Sequence, residues 1–563
     1  MANIIARDYP QEIAVRLAAE GLYPVLARIY AARGITRSAQ LQTALSGLIP
    51  PDRLQHVEAM AKRLADAIEQ GQRLLIVADY DSDGATACVV GMRALRMFGA
   101  AVDYLVPNRF EHGYGLTPEI VQLALPLKPD IIITVDNGIA SVEGVAEANR
   151  LGIAVLVTDH HLPGDVLPDA ACIVNPNAPD CDFPSKNLAG VGVIFYVMLA
   201  LRAELRRRGR FSEGAEPNLT ELLDLVALGT VADVVRLDDN NRILVDQGLR
   251  RIRAGKACPG ILALLRVAGR DPRRASTYDL GFVVGPRLNA AGRLEDMALG
   301  VECLLATDAV QAQQMASQLD AMNRSRREIE SDMHDAALAA LEDVTAREGY
   351  SLSLYDESWH QGVIGILASR LKEKFHRPVI AFAPAGNGVI KGSGRSIPGL
   401  HLRDALDLVS KRQSDLLLSF GGHAMAAGLS IKEEGFERFS TLFEQVASEL
   451  LTLADLEQVI ETDGPLAAGD HTLDTARAID DGVWGQGFAT PAFQGEFVVA
   501  EQRVVGERHL KLKLEREGQV LDAMLFFHAE LLPFAINAVY QLGVNEYNGR
   551  QSVQLILRHW NPA

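Results

Sequence analysis

Cysteine is scarce: Cys88, Cys172, Cys181, Cys258 and Cys303 are the only five in 563 residues, and none forms a CxxC pair. That excludes a disulfide scaffold and a thiolate zinc site. Long apolar runs are missing as well, since no stretch approaches the roughly 20 uninterrupted residues a membrane span needs. The start MANIIARDYP has no charged segment followed by an apolar core, so a reducing cytoplasm is the expected location and no membrane partner is expected. Positive charge is in deficit, 55 Lys and Arg against 72 Asp and Glu, for a net charge of -17. This argues against a general nucleic-acid coating protein, because phosphate neutralisation leaves a basic footprint. Local basic stretches remain at RAELRRRGR (202–210), LRRIRAGK (249–256) and RDPRR (270–274). The first apolar strand leads into DYDSDGAT without a GxGxxG, which excludes a dinucleotide-binding oxidoreductase, and no serine sits in a GxSxG elbow.

What is present begins with length: 563 residues exceed one core, so three or four domains are expected. Between about 73 and 177 the runs RLLIVADY, AVDYLVPN, DIIITVDN, AVLVTDHH and ACIVNPN alternate with helix-like segments. Continuous apolar strands of this kind are covered on both faces, as in a doubly wound α/β domain. The first four end in DYDSDG, PNR, DNG and DHH, clusters that should converge at the carboxyl rim of a parallel sheet. The predicted layout is an N-terminal helical segment at 1–60, a catalytic α/β domain at 61–308, a long helix at 309–348, a second α/β domain at 349–452 and a strand-rich barrel at 453–563. The helix lacks Gly and Pro from 309 to 347, and repeats Met315, Leu319, Met322, Ile329, Met333 and Leu341 on one side. The last segment reads as a small five-stranded barrel of the oligonucleotide-binding type, although residues 455–563 carry 8 Lys and Arg against 16 Asp and Glu.

The stretch VADYDSDGAT (77–86) crowds Asp79, Asp81 and Asp83 at alternate positions. On a single strand all three would project to one side, where like charges are costly without a cation nearby. The predicted rim collects Asp79, Asp81, Asp83, Asp136, Asp159, His160, His161 and, from the helical region, Asp233. Carboxylates with one or two imidazoles and no thiolates suit Mn²⁺ or Mg²⁺, and two such ions would neutralise the cluster and act on a phosphodiester from both sides.

DYDSDG, PNR, TVDNG, TDHH and ADVV, with GSGRS and GGH further on, resemble the DHH phosphoesterase superfamily. The likeness covers nearly the whole chain and extends, through the linking helix and terminal barrel, to its branch of bacterial single-strand-specific exonucleases. It implies a DHH-type parallel-sheet catalytic domain, a DHH-associated α/β domain and an OB-like barrel. It implies one metal held by Asp79, Asp81 and Asp136, and the other by Asp83, Asp136, His160 and Asp233, with Asp136 bridging. Many superfamily members have histidine in place of Asp79. Asp159 and His161 are expected to support the ligands and the catalysis.

The same resemblance implies a pocket for a 5′ phosphate built from Arg109, Ser393, Arg395 and Ser396, and hence 5′→3′ exonuclease action on single-stranded DNA in recombination and repair. His423 in GGH would contact the scissile phosphate. Tyr114 and Arg287 are placed to stack on bases; His360 and His401 have no assigned role. A monomer is expected, working beside a single-strand-binding protein and a helicase. Two other readings stay open: a phosphodiesterase for small substrates such as cyclic dinucleotides, and a non-catalytic scaffold of the same fold.

Overall fold

The computed structural model describes residues 2–108, 112, 114–212, 214–342, 349–547 and 549–563. The chain opens with β1 (Asn3–Ala6), which the sequence pattern leaves inside a helical segment. The first α/β domain follows, with β2 (Arg73–Ala78), β3 (Ala101–Leu105), β4 (Ile131–Val135), β5 (Ala154–Thr158) and β6 (Cys172–Val174) in the order β3-β2-β4-β5-β6. All four pairings are parallel, and the five strands are the five apolar runs. Both faces are covered. Leu74, Ile76 and Ala78 point into one core with Cys88 and Ile194, while Leu75 and Val77 join Ile120 and Val145 on the other side. Each fully buried Val, Leu or Ile side chain among them contributes about 1.5 to 3 kcal/mol, and the shared direction of the strands brings their carboxyl ends to one rim.

The linking helix, Ala309–Glu342, spans 34 residues or about 51 Å. Ala312, Ala316 and Leu319 pack into the first domain, and Met333 and Ala337 into the second. The expected segment 343–348 and the side chain of Leu341 lie outside what is described.

The second α/β domain holds β7 (Leu352–Tyr355), β8 (Val379–Pro384), β9 (Val389–Arg395), β10 (Leu417–Gly422) and β11 (Ala426–Lys432), ordered β10-β11-β9-β8-β7. GSGRS is therefore mostly strand, with Ser393 and Arg395 on β9, and GGH ends a hairpin. After it β12 (Val459–Thr462) returns to pair in parallel with β1.

The barrel is closed by β13 (Phe493–Val505), β14 (His509–Arg516), β15 (Gln519–Leu525), β16 (Ala535–Tyr547) and β17 (Arg550–Pro562) in the order β13-β14-β15-β17-β16. Buried residues alternate along the strands, as with Leu510, Leu512 and Leu514 of β14. Among the described residues no helix is long and apolar enough to cross a membrane.

Candidate metal centre

The three aspartates of DYDSDG do not share one strand. β2 ends at Ala78, Asp79 follows it, and Asp81 caps the Ser82–Met97 helix, accepting from the N–H groups of Asp83 (2.9 Å) and Gly84 (3.0 Å). Asp83 lies in the first helical turn. N-cap chemistry overrides the alternating pattern, because a short acidic side chain satisfies N–H groups that the helix leaves unpaired. A Cβ on Gly84 would stand 2.4 Å from the Asp79 carbonyl oxygen, so the tight turn requires glycine.

Asp83 is fully buried and accepts from Gly190 N–H (2.6 Å) and Val191 N–H (2.9 Å), the amino end of the Gly190–Arg207 helix. That helix dipole steadies a carboxylate that would otherwise be too costly to bury. Gly190 and Val191 did not emerge as site residues from the sequence, which contains only the unremarked repeat AGVGV. Asp136 follows β4 at φ 60°, a left-handed conformation uncommon for a side-chain-bearing residue. Its Oδ1 lies 3.1 Å from His160 Nε2, and His160 Nε2 lies 3.5 Å from Asp233 Oδ2 and 4.0 Å from Asp83 Oδ2.

Candidate donor atoms gather within 4.8 Å of one another in three sets: Asp79, Asp81 and Asp136; Asp83, His160 and Asp233; and Asp136, His160 and His161. Residues from four chain segments spread over some 150 positions thus meet at the rim. Burial, with the mutual repulsion of Asp81, Asp83, Asp136 and Asp233, holds Asp83 and Asp136 well above the carboxylate range. Burial and Asp81 push Asp233 to about 7, while burial lowers His160 to about 4, leaving a neutral imidazole. Among the described residues, buried Asp136 Oδ1 and His160 Nε2 have no hydrogen-bond partner. Unpaired lone-pair donors beside carboxylates that repel one another fit divalent cations well, and the oxygen-rich set fits Mn²⁺ or Mg²⁺.

Asp159 supports this layer. It accepts from Ile139 N–H (2.9 Å), His160 N–H (2.7 Å) and His161 Nδ1 (2.8 Å). Burial alone would lower His161, yet the hydrogen bond to Asp159 and the charges of Asp159, Asp233 and Asp79 together outweigh it and raise the ring to about 9. Asn175 and Asn177 clamp the backbone of the same turn by donating to His161 and His160 carbonyls. Tyr114 Oη sits 3.3 Å from both ring nitrogens of His161 and 3.4 Å from the Asp136 carbonyl. Tyr114, Leu116, Asp159, His161, Leu162 and His423 all line one cleft of about 610 Å³, so the β10–β11 hairpin faces the first domain across it.

The other expected residues divide. Arg395 donates to Ser393 Oγ (3.2 Å) and the Gly394 carbonyl (2.8 Å), and both side chains lie against the first turn of the Ile364–Phe375 helix. A Cβ on Gly365 would stand 2.9 Å from Ser393 Oγ and 3.0 Å from Arg395 Nη2. A guanidinium, a hydroxyl and a helix amino end are groups that can receive an anion. Ser396 is not part of it: buried at 1% exposure, its hydroxyl donates to the Leu400 carbonyl (2.8 Å). Arg287 likewise departs from the stacking role, because its buried guanidinium is paired with Asp320 of the linking helix (2.8 Å) and bonded to the Val283 carbonyl. His401 caps the Leu402–Arg412 helix, and His360 accepts from Gly362 N–H where that loop meets Arg293. Arg109 lies outside the described residues.

Family models match the chain in three places: the DHH family N-terminal domain over residues 73–230, the DHHA1 domain over 348–449 and the RecJ OB domain over 462–559. The chain is 53% identical over 557 residues to the single-stranded-DNA-specific exonuclease RecJ of Dickeya dadantii, covering 96% of this chain and 97% of that protein. It belongs to the RecJ family. The RecJ of Escherichia coli is 51% identical, with 95% of each chain covered. The crystal structure of RecJ from Thermus thermophilus in complex with Mn²⁺ superposes with a TM-score of 0.82 at 29% identity, covering all of this chain and 79% of that one. A second structure of the same protein, in complex with Mg²⁺, gives 0.76 at 28% identity. Membership supports the expected α/β, DHHA1 and barrel architecture and a metal-dependent exonuclease activity, in line with a donor set that suits both ions.

Proposed function

We propose that this chain hydrolyses single-stranded DNA from a 5′ end, in the 5′→3′ direction, using two divalent cations, and serves recombination and repair in the cytoplasm. The observation that carries the reading is the meeting of the aspartate and histidine sets at one rim, with Asp159 and His161 beside them lining a cleft that His423 faces from the second α/β domain, which also carries Ser393 and Arg395. When bound, the cations supply Lewis acidity at the attacking and leaving oxygens of a phosphodiester.

The residues themselves have separable tasks. Asp79, Asp81 and Asp136 would hold one ion, and Asp83, Asp136, His160 and Asp233 the other, with Asp136 shared. Asp159 orients His161 through Nδ1, and His161 and Tyr114 polarise the cleft wall. His423 faces the same space from the opposite domain and is suited to a phosphoryl oxygen of the scissile bond. Ser393 and Arg395, beside a helix amino end, suit a terminal 5′ phosphate. No covalent protein nucleophile is needed. The closed barrel supports a polymeric substrate over a cyclic dinucleotide, since a small ligand has no use for a third domain. The chain is expected to act as a monomer with a single-strand-binding protein and a helicase as partners.

Digestion of end-labelled oligonucleotides in Mn²⁺ tests this reading. Release of mononucleotides from the 5′ end of single strands, with duplex spared, supports it. Release from the 3′ end, or turnover confined to dinucleotides, would overturn it.

A further inference from the structure

The basic stretch RDPRR and the two aromatic residues after it take no part in the centre described above. Tyr278 and Phe282 stand one helical turn apart, 50% and 66% exposed, with ring centroids 5.1 Å apart and planes inclined by 24°. The Arg270 guanidinium lies 5.9 Å from the Tyr278 ring centroid and pairs with Asp279 at 3.4 Å. The turn that follows Tyr278 and carries Phe282, Asp279–Val284, is wound as a π-helix. Pro286 follows after Gly285, with no N–H to offer the Phe282 carbonyl and a ring that would press on it, so the chain widens there.

Position gives the pair its meaning. Gly281 lies against Val231 and Gly285 against Ala232, the residues just before Asp233, and the Gly285 carbonyl accepts from Ser82 Oγ (3.1 Å), between Asp81 and Asp83. On the other side, Arg274 is paired with Glu546 near the end of β16. The stacked rings therefore sit on a segment that touches the metal centre at one end and the barrel at the other. Val234, next to Asp233, adds an apolar side chain 61% exposed, held at φ 64° where β-branched residues are rarely found.

We propose that Tyr278 and Phe282, with Arg270 beside them, form a base-stacking subsite for the part of the single strand 3′ of the cleaved bond, on its way from the metal centre to the barrel. The inference rests on the strand-degrading reading above. Stacking is indifferent to base identity and needs no excess of lysine and arginine, so it gives a net acidic chain a grip on DNA that phosphate contacts alone do not provide. The arginine adds cation–π attraction without requiring a broad basic face.

The test compares full-length wild type with Phe282→Ala and Tyr278→Ala on a 5′-phosphorylated trinucleotide and on a single strand of roughly 20 nucleotides. Each variant should raise KM on the long strand about tenfold while leaving kcat on the trinucleotide unchanged, and Phe282→Trp should restore the wild-type value. One abasic site walked along the long strand should weaken wild-type binding at one or two positions, and Phe282→Ala should lose that sensitivity. Variants that match wild type on the long strand, or a walk with no sensitive position, would overturn the subsite alone and assign the rings to a protein partner. A wild-type chain that digests no single strand would overturn the functional reading and this one with it.

Discussion

Asp136 is the residue on which the centre turns. It is 1% exposed, is held in a left-handed backbone conformation, and appears in two of the three donor sets. Backbone strain of this kind costs on the order of 1 to 3 kcal/mol and persists only where the surroundings enforce it. Asp136→Asn keeps the shape and removes the charge, and it should lower nuclease turnover about 10³-fold while leaving the far-ultraviolet circular dichroism unchanged. Asp159→Asn acts one layer out, through His161, and should cost about 10- to 100-fold. Steady-state digestion of one labelled strand ranks the two.

The same carboxylates tie stability to pH. In chelated protein Asp233, raised to about 7, contributes stability that is intact below its ordinary value of 3.8 and is lost as pH rises through about 7. Asp83 and Asp136, raised by burial and by their acidic neighbours, act in the same sense. His161, raised to about 9, also contributes stability that falls as pH climbs from 6.5 through 9. His160, lowered to about 4, acts oppositely, its contribution being lost as pH falls from 6.5 toward 4. Above pH 6.5 the terms that remain agree, so Tm in a chelator should fall between pH 6.5 and 8.5, and saturating Mn²⁺ should remove the fall. Calorimetry at several pH values, with and without the ion, checks the sign.

At the scale of elements, helix amino ends organise the anionic groups. The Gly190–Arg207 helix is aimed at Asp83, and a Cβ on Gly190 would meet Asp136 Cβ at 2.5 Å. Gly190→Ala should therefore impair metal affinity and nuclease activity more than it lowers Tm, a difference that calorimetric titration with Mn²⁺ resolves. The Ile364–Phe375 helix plays the corresponding part beside Ser393 and Arg395. Arg395→Ala should abolish any preference for a 5′-phosphorylated over a 5′-hydroxyl strand, measured as a ratio of kcat/KM values that falls toward one.

Parallel strands were legible because both faces are buried, so RLLIVADY or DIIITVDN reads as one apolar run, and their shared direction forced the acidic turns together. The cap was not legible as such: DYDSDG alternates like a strand, and only helix-end chemistry places Asp81 and Asp83 on a helix. β1 was lost within an N-terminal segment otherwise helical, because its partner β12 lies more than 450 residues away. GSGRS carries no strand signal, since glycines weaken it, yet Gly392 and Gly394 are required where Phe382 and Leu402 press close. The family resemblance of GSGRS points Ser396 toward the substrate, and a guanidinium able to stack points Arg287 there. Their partners, the Leu400 carbonyl and Asp320, come from tertiary packing that no local pattern encodes.

At the scale of the whole molecule, the linking helix and the N-terminal segment fix the domains. Arg33, on the loop after the Pro24–Ala32 helix, forms a bidentate pair with Asp463 at 2.6 and 3.0 Å, both side chains 3% exposed, beside the stacked Tyr30, Trp484 and Phe488 rings. Arg33→Met removes the near cation of buried Asp463, leaving Arg7 at 3.8 Å, and should lower stability by about 3 kcal/mol, read from the denaturant midpoint at constant slope.

The account stands on a pair of divalent ions at the rim of the parallel sheet, and anomalous diffraction from crystals grown with Mn²⁺ measures that pair directly. Two peaks are predicted, one among Asp79, Asp81 and Asp136 and one among Asp83, His160 and Asp233, with Asp136 within bonding distance of both. A map recorded at the manganese edge with no peak there, or with a peak only at another acidic surface, would contradict it.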